Sequence, residues 1–195
     1  MKRIIFLLAL TLTVCSCDKY KDDPVCAAIA QKAMEPYGDQ PYKATFDSIT
    51  LLDSTTLAVE MDRRINAFNM KRQNDELLYI KYFKQNKKKN AARKSDDMSK
   101  DDEILKKLNA LKEKMGDSLN QVAYYDYKFT ATVKLSGKTL QMKDCFATVT
   151  PDNEVITLSS DVKSLHKATG KVIPGYLELI SDTPEEDAGD KEIEE

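Results

Sequence analysis

The chain has 195 residues, with 30 Lys or Arg, 32 Asp or Glu, one His, four Cys and no Trp. That length fits one domain, 42% hydrophobic residues suffice for a core, and a net charge of -2 argues against a dedicated nucleic-acid binder. A single imidazole excludes multi-histidine metal sites and any chemistry that needs two imidazoles.

Lys2 and Arg3 precede an apolar run from Ile4 to Val14 that falls short of the roughly 20 residues needed to span a bilayer, so it reads as a signal-peptide core. Val14-Cys15-Ser16-Cys17 follows, and it resembles the lipobox of bacterial lipoproteins, with an aliphatic residue at −3 and a small one at −1. The resemblance implies that residues 1–16 are cleaved, that Cys17 is lipidated, and that the protein is held to the outer membrane through this lipid. Secretory cleavage without a lipid is the alternative. Lys21-Asp22-Asp23 resembles the surface-export signal of Bacteroidota lipoproteins, although residues 17–23 also suit a plain polar tether. The domain then faces either the cell surface or the periplasm. After cleavage Cys26 and Cys145 are the remaining thiols, and an oxidising compartment permits a disulfide between them. Such a bridge contributes on the order of 4 kcal/mol in the chain-entropy model. Two buried thiols acting as small hydrophobes are the other reading.

Pro24, behind Asp22-Asp23, opens a short helix to about Met34 with Val25, Ile29 and Ala33 as its apolar stripe. Residues 42–52 read as a strand. The stretch 55–62 fits two patterns: Leu57, Val59 and Met61 alternate, yet Leu57, Met61, Ile65 and Phe68 step helically, with Tyr79 and Tyr82 in phase. A helix over about 55–90 is expected, its stripe interrupted by Arg72 and Asp75. A second helix is expected from a Ser99 cap, with Ile104, Leu108, Leu111 and Met115 as its seam and Gly116 as its end. The two form an antiparallel helical hairpin.

Residues 122–135 alternate as a strand that turns Tyr125, Tyr127, Phe129, Ala131, Val133 and Leu135 to the core and Tyr124 outward. Ser136-Gly137-Lys138 turns into a return strand over 139–149, where a parity change marks a bulge near Asp144. A third strand over 155–159, a short helix from Ser160 or Asp161 to about Ala168, a type II turn at Ile173–Tyr176 and a last strand over 176–180 complete a domain spanning 24–180. The acidic tail 181–195 is expected to be disordered. The order predicts an α+β fold: an antiparallel sheet of about four strands, with the helical hairpin and short helices on one face. The segments 116–139, 146–161 and 172–179 resemble uncharacterised Bacteroidota lipoproteins, which implies a shared fold and transfers no activity and no site.

No catalytic residue, cofactor or metal site emerges from the pattern. His166, near Ser160, Asp161 and Ser164, lacks a G-x-S-x-G context and reads as a surface histidine or one at a helix terminus. Asp101, Asp102 and Glu103 lack calcium-loop spacing and suit the positive end of a helix dipole. The six glycines form no phosphate-binding loop. Lys84, Lys87, Lys88, Lys89, Arg93 and Lys94 form an acid-free basic run that reads first as a solvated helix end, with contact with a polyanion as the other reading. The reading is a lipid-anchored, non-enzymatic binding or accessory module whose partner is an envelope protein or glycan. Two others stay open: an immunity or inhibitor lipoprotein that sequesters a toxin or protease, and a small surface hydrolase using paired carboxylates.

Overall fold

The structure is a computed structural model that describes residues 19–166 and 169–181. The leader, Cys17 and the tail beyond Ser181 lie outside the described residues, as does the end of the short helix expected to reach Ala168.

Helix α1 (Pro24–Met34) starts where the Asp23 carboxylate accepts from the backbone N–H groups of Val25 and Cys26 at 2.9 and 3.1 Å. It buries Cys26, Ile29, Ala30 and Met34, a stripe rotated slightly from the expected one, so that Val25 and Ala33 lie at its edge. Four strands, β1 (Tyr42–Thr56), β2 (Val122–Leu135), β3 (Lys138–Val149) and β4 (Val155–Ser159), pair antiparallel in that order. The fold is α+β, and the long hairpin of α2 (Leu57–Lys84) and α3 (Lys88–Met115) is inserted between two strands that are sheet neighbours.

The ambiguity at 55–62 resolves at Thr56. β1 runs to that residue, whose hydroxyl then accepts from the Val59 N–H at 3.4 Å and caps α2. The Leu57 N–H still donates to the Gln121 carbonyl at 2.9 Å, so the helix leaves directly from the β1–β2 ladder. The expected bulge is present: Phe129 pairs with Cys145 and Ala131 with Met142, and Asp144 takes a φ of 51°.

Other expectations fail. Helix α3 begins at Lys88 rather than at Ser99, and the Ser99 hydroxyl donates back to the Ser95 carbonyl at 3.1 Å inside the helix. The segment after Asp161 is a single 3-10 turn, Val162–Ser164, and His166 follows with a φ of 65°. Tyr176–Ser181 is a helix, α4, because Tyr176, Leu179 and Ile180 share one helical face and all three join the core at the base of the hairpin.

Two apolar clusters hold the domain. In the first, Cys26, Ile29 and Ala30 of α1 pack on Phe46, Phe129, Ala131, Ala147, Val149 and Val155 of the sheet. Cys145 packs at its margin, and no disulfide joins it to Cys26: both are thiols. In the second, Leu57, Met61, Ile104 and Leu108 of the hairpin base meet Ala123, Tyr124, Ile173 and Tyr176. Tyr124, expected to point outward, is fully buried there. This end of β2 is covered on both sides, by α1 on one and by the hairpin base on the other.

Candidate docking site

Helices α2 and α3 have 28 residues each, so each is about 42 Å long. Only the base of this hairpin is built like a core. Ile65, Phe68, Leu111 and Met115 support the second cluster, whereas residues 69–103 contribute nothing to either cluster. The outer arm is joined largely by charges, and these set its antiparallel register. Asp62 meets Lys112 at 2.5 Å at the base, and along the arm Lys71 meets Asp101 at 2.6 Å, Arg72 meets Asp102 at 2.5 Å, and Asp75 meets Lys94 at 3.0 Å. Asp75, which interrupts the apolar stripe of α2, therefore faces a lysine that occupies the seam of α3. Ala91 is the one fully buried apolar residue of the arm.

While its seam is polar, the arm carries apolar groups outside it. Met70, Leu77, Ile80 and Phe83 are exposed, Leu77 at 66% and Phe83 at 69%. They span about 140° of the surface of α2, with Met70 and Leu77 farthest from α3 and Phe83 on the flank beside the seam, one turn on from Tyr79. The basic run surrounds the free end of this surface. Lys84, Lys87, Lys88, Lys89 and Arg93 are exposed, together with Lys81. Lys94 is not part of that surface: its side chain is 14% exposed and lies between Asp75 and Asp97. Burial alone would lower the Lys94 ammonium, but hydrogen bonds to Asp75 and Asp97 outweigh it and hold the pKa above the ordinary value.

The acids expected to open the second helix do other work, because that helix starts eleven residues before Ser99. Asp101 is completely buried against Lys71, and Asp102 binds Arg72. Among the described residues no three of His, Cys, Asp and Glu converge as metal ligands, and no helix is long and apolar enough to cross a membrane.

A buried polar network pins the hairpin base to the sheet, and its members were not singled out together from the sequence. Glu60, fully buried in the first turn of α2, accepts from Arg64 at 2.7 Å and from the Tyr124 hydroxyl at 3.0 Å. Arg63 donates to that hydroxyl and lies 3.3 Å from His166 Nδ1. The same nitrogen is 3.1 Å from the Tyr124 oxygen and 3.4 Å from Asp126 Oδ2, while Asp126 Oδ1 accepts from Thr148 at 2.7 Å. Burial pushes the Asp126 carboxyl above the ordinary carboxylate value, against the opposing pull of Thr148 and His166. Burial likewise raises the Tyr124 phenol. His166 therefore does not sit at a helix end but closes a cluster drawn from α2, β2 and the loop before α4. Glu60 is taken up by internal bonds, whereas Asp126 Oδ2 is buried without a hydrogen-bond partner among the described residues and lies 3.4 Å from His166 Nδ1. The Glu60–Arg64 spacing of i,i+4 was the one local signal for the cluster.

Elsewhere, an open groove of about 790 Å³ runs between the end of α1 and the β3–β4 strands, lined by Tyr37, Leu140, Met142, Ile156 and Leu158. Compared with protein-family models, curated proteins and solved structures, the chain matches none of them.

Proposed function

We propose that the chain is a lipid-anchored cell-envelope protein that works as a non-enzymatic binding module, and that the α2–α3 hairpin is its docking arm. One observation carries the reading: the outer arm adds nothing to the domain's hydrophobic clusters, yet exposes Met70, Leu77, Ile80 and Phe83 on α2. Contiguous exposed apolar surface rimmed by charge is the ordinary mark of an interaction site. The network of Glu60, Arg63, Tyr124, His166 and Asp126 supports it, because a docking arm needs a fixed angle to the body that carries it. The lipid at Cys17 supplies the anchor in this reading, and Cys17→Ala shifts the protein out of the membrane fraction.

The test compares thiol labelling of Leu77→Cys and Phe83→Cys in intact cells and in the purified protein with a membrane-permeant maleimide, using Asp152→Cys in an exposed turn as reference. Cys26 is buried and burial pushes the Cys145 thiol up, so both native thiols label slowly. Arm positions labelled at least about tenfold more slowly in cells, with the turn unchanged, mean that the arm is occupied. Equal rates at all three positions overturn the reading.

A further inference from the structure

We infer that the tip of the hairpin is a membrane-contact element for an anionic phospholipid surface, with Leu77, Ile80 and Phe83 entering the acyl boundary and the surrounding cations meeting phosphate. The inference rests on the hairpin being the docking arm and names what the arm docks to.

The charge at the tip is one-signed. Between Glu76 and Asp96 the chain has no acid, while Lys81, Lys84, Lys87, Lys88, Lys89 and Arg93 are all exposed and none forms an ion pair among the described residues. Elsewhere in the hairpin most cations are paired, as Lys71, Arg72, Lys94, Lys107 and Lys112 are, with Lys106 and Lys114 as exposed exceptions. The placement also runs against the helix. Lys81 and Lys84 lie in the last turn of α2, where cations complement the dipole, but Lys88 and Lys89 open α3 at its positive end. That first turn has no acid and no side-chain cap. Both features disfavour the isolated helix and favour an anion placed at its start.

The cations surround apolar side chains rather than polar ones. Phe83 stacks on Tyr79 at 6.1 Å between ring centroids, which holds its ring in place while leaving most of it in solvent. A polysaccharide would use the lysines and leave Leu77, Ile80 and Phe83 wet. An acidic protein would bury them in a pocket of its own, and a row of aliphatic and aromatic groups flanked by lysines needs no pocket to enter a bilayer interface. Basic, amphipathic helical surface of this kind partitions into anionic bilayers with its apolar groups below the phosphates.

The chain has no Trp, so a single Phe83→Trp substitution at this exposed position reports on the tip alone, whatever residues 1–18 do. The full chain carrying it is mixed with phosphatidylcholine vesicles with and without phosphatidylglycerol. The expected result is a blue-shifted emission, quenched by lipids brominated on their acyl chains, that requires phosphatidylglycerol. Lys87→Glu, Lys88→Glu and Lys89→Glu together lower the partition coefficient by about 100-fold or more. Leu51→Trp, at an exposed position on β1, keeps an aqueous spectrum. An unchanged Phe83→Trp spectrum when the vesicles carry the protein down overturns the inference, as does an equal shift without phosphatidylglycerol. If the vesicle result is negative while Leu77→Cys and Phe83→Cys remain protected in cells, the arm is occupied by a protein or glycan: this inference falls and the docking-arm reading stands.

Discussion

Asp75 of α2 and Lys94 of α3 face each other at 3.0 Å inside a hairpin seam where helix pairs ordinarily place leucine, with their side chains 9% and 14% exposed. Such a seam favours one register, because a slip leaves Asp75 desolvated and without Lys94. The pair fixes where the arm's two helices meet, and hence which residues its outer flank displays.

Asp75→Ala is expected to destabilise the protein by about 1–3 kcal/mol, a range set by charge-assisted hydrogen bonds, since Lys94 keeps Asp97 as a second partner. Asp75→Leu with Lys94→Leu is expected to recover most of that loss. Urea unfolding of the single and double variants measures the coupling. Strictly additive losses would show that the pair does not act as a unit.

Lys88→Glu with Lys89→Glu is expected to stabilise the isolated protein by about 0.5–2 kcal/mol, because acids replace cations at the positive end of α3. The same substitutions weaken docking at the tip. Calorimetry decides the first half, and a lower melting temperature contradicts the dipole argument.

Position within the hairpin determines how much an apolar side chain matters. Met61→Ala and Leu108→Ala, both in fully buried base positions, are each expected to cost about 2–5 kcal/mol. Phe83→Ser at the exposed tip is expected to change stability by no more than about 0.5 kcal/mol. Comparable losses at base and tip would mean that the outer arm has an apolar core after all.

Asp126 gives the stability a pH dependence. Its carboxyl is raised in the folded state, where it faces Thr148, His166, Arg63 and Asp53. The folded chain therefore holds a proton that the unfolded chain, with its ordinary value of 3.8, has already released. This group's contribution falls as pH rises from about 4 through the raised value. Asp126→Asn keeps an oxygen to accept from Thr148 and is expected to flatten that slope. Denaturant unfolding from acid to neutral pH checks it, and an unchanged slope would assign the effect to another group.

Gly170 lies against the Tyr176 ring, where an added Cβ would come within 2.5 Å of a ring carbon. Gly170→Ala is expected to cost about 1–3 kcal/mol by displacing α4 from the hairpin base. Thermal unfolding is the check, with Gly137→Ala as a comparison: no atom crowds that turn, and its strain comes only from a φ of 78°.

Much of the fold is written in short-range pattern. The proline that opens α1, the alternation of β2 from Lys128 to Leu135, the parity break at Asp144 and the stop at Gly116 each follow from interactions a few residues apart, and each appears where the pattern places it. Tyr124 and Asp126, expected outward, are instead buried. The expectation for 176–180 fails because five residues of Tyr, Leu, Glu and Ile suit a strand or a helix equally well. The choice fell to the surface waiting for Tyr176, Leu179 and Ile180 at the hairpin base.

The basic arm shows the same division. Composition and order alone determined that a cation-rich, acid-free stretch would lie between two amphipathic helices, and that Asp75 would break an apolar stripe. Only the tertiary structure decided that residues 88–98 are helical, since they have no apolar period and are tied to α2 through Lys94, which meets Asp75. It also decided that Lys94 turns inward while its neighbours stay in solvent, and that Glu60, Tyr124, Asp126 and His166 meet. Periodicity encodes which face of an element is apolar. Which charge meets which depends on how the elements are brought together, and no local pattern contains that information.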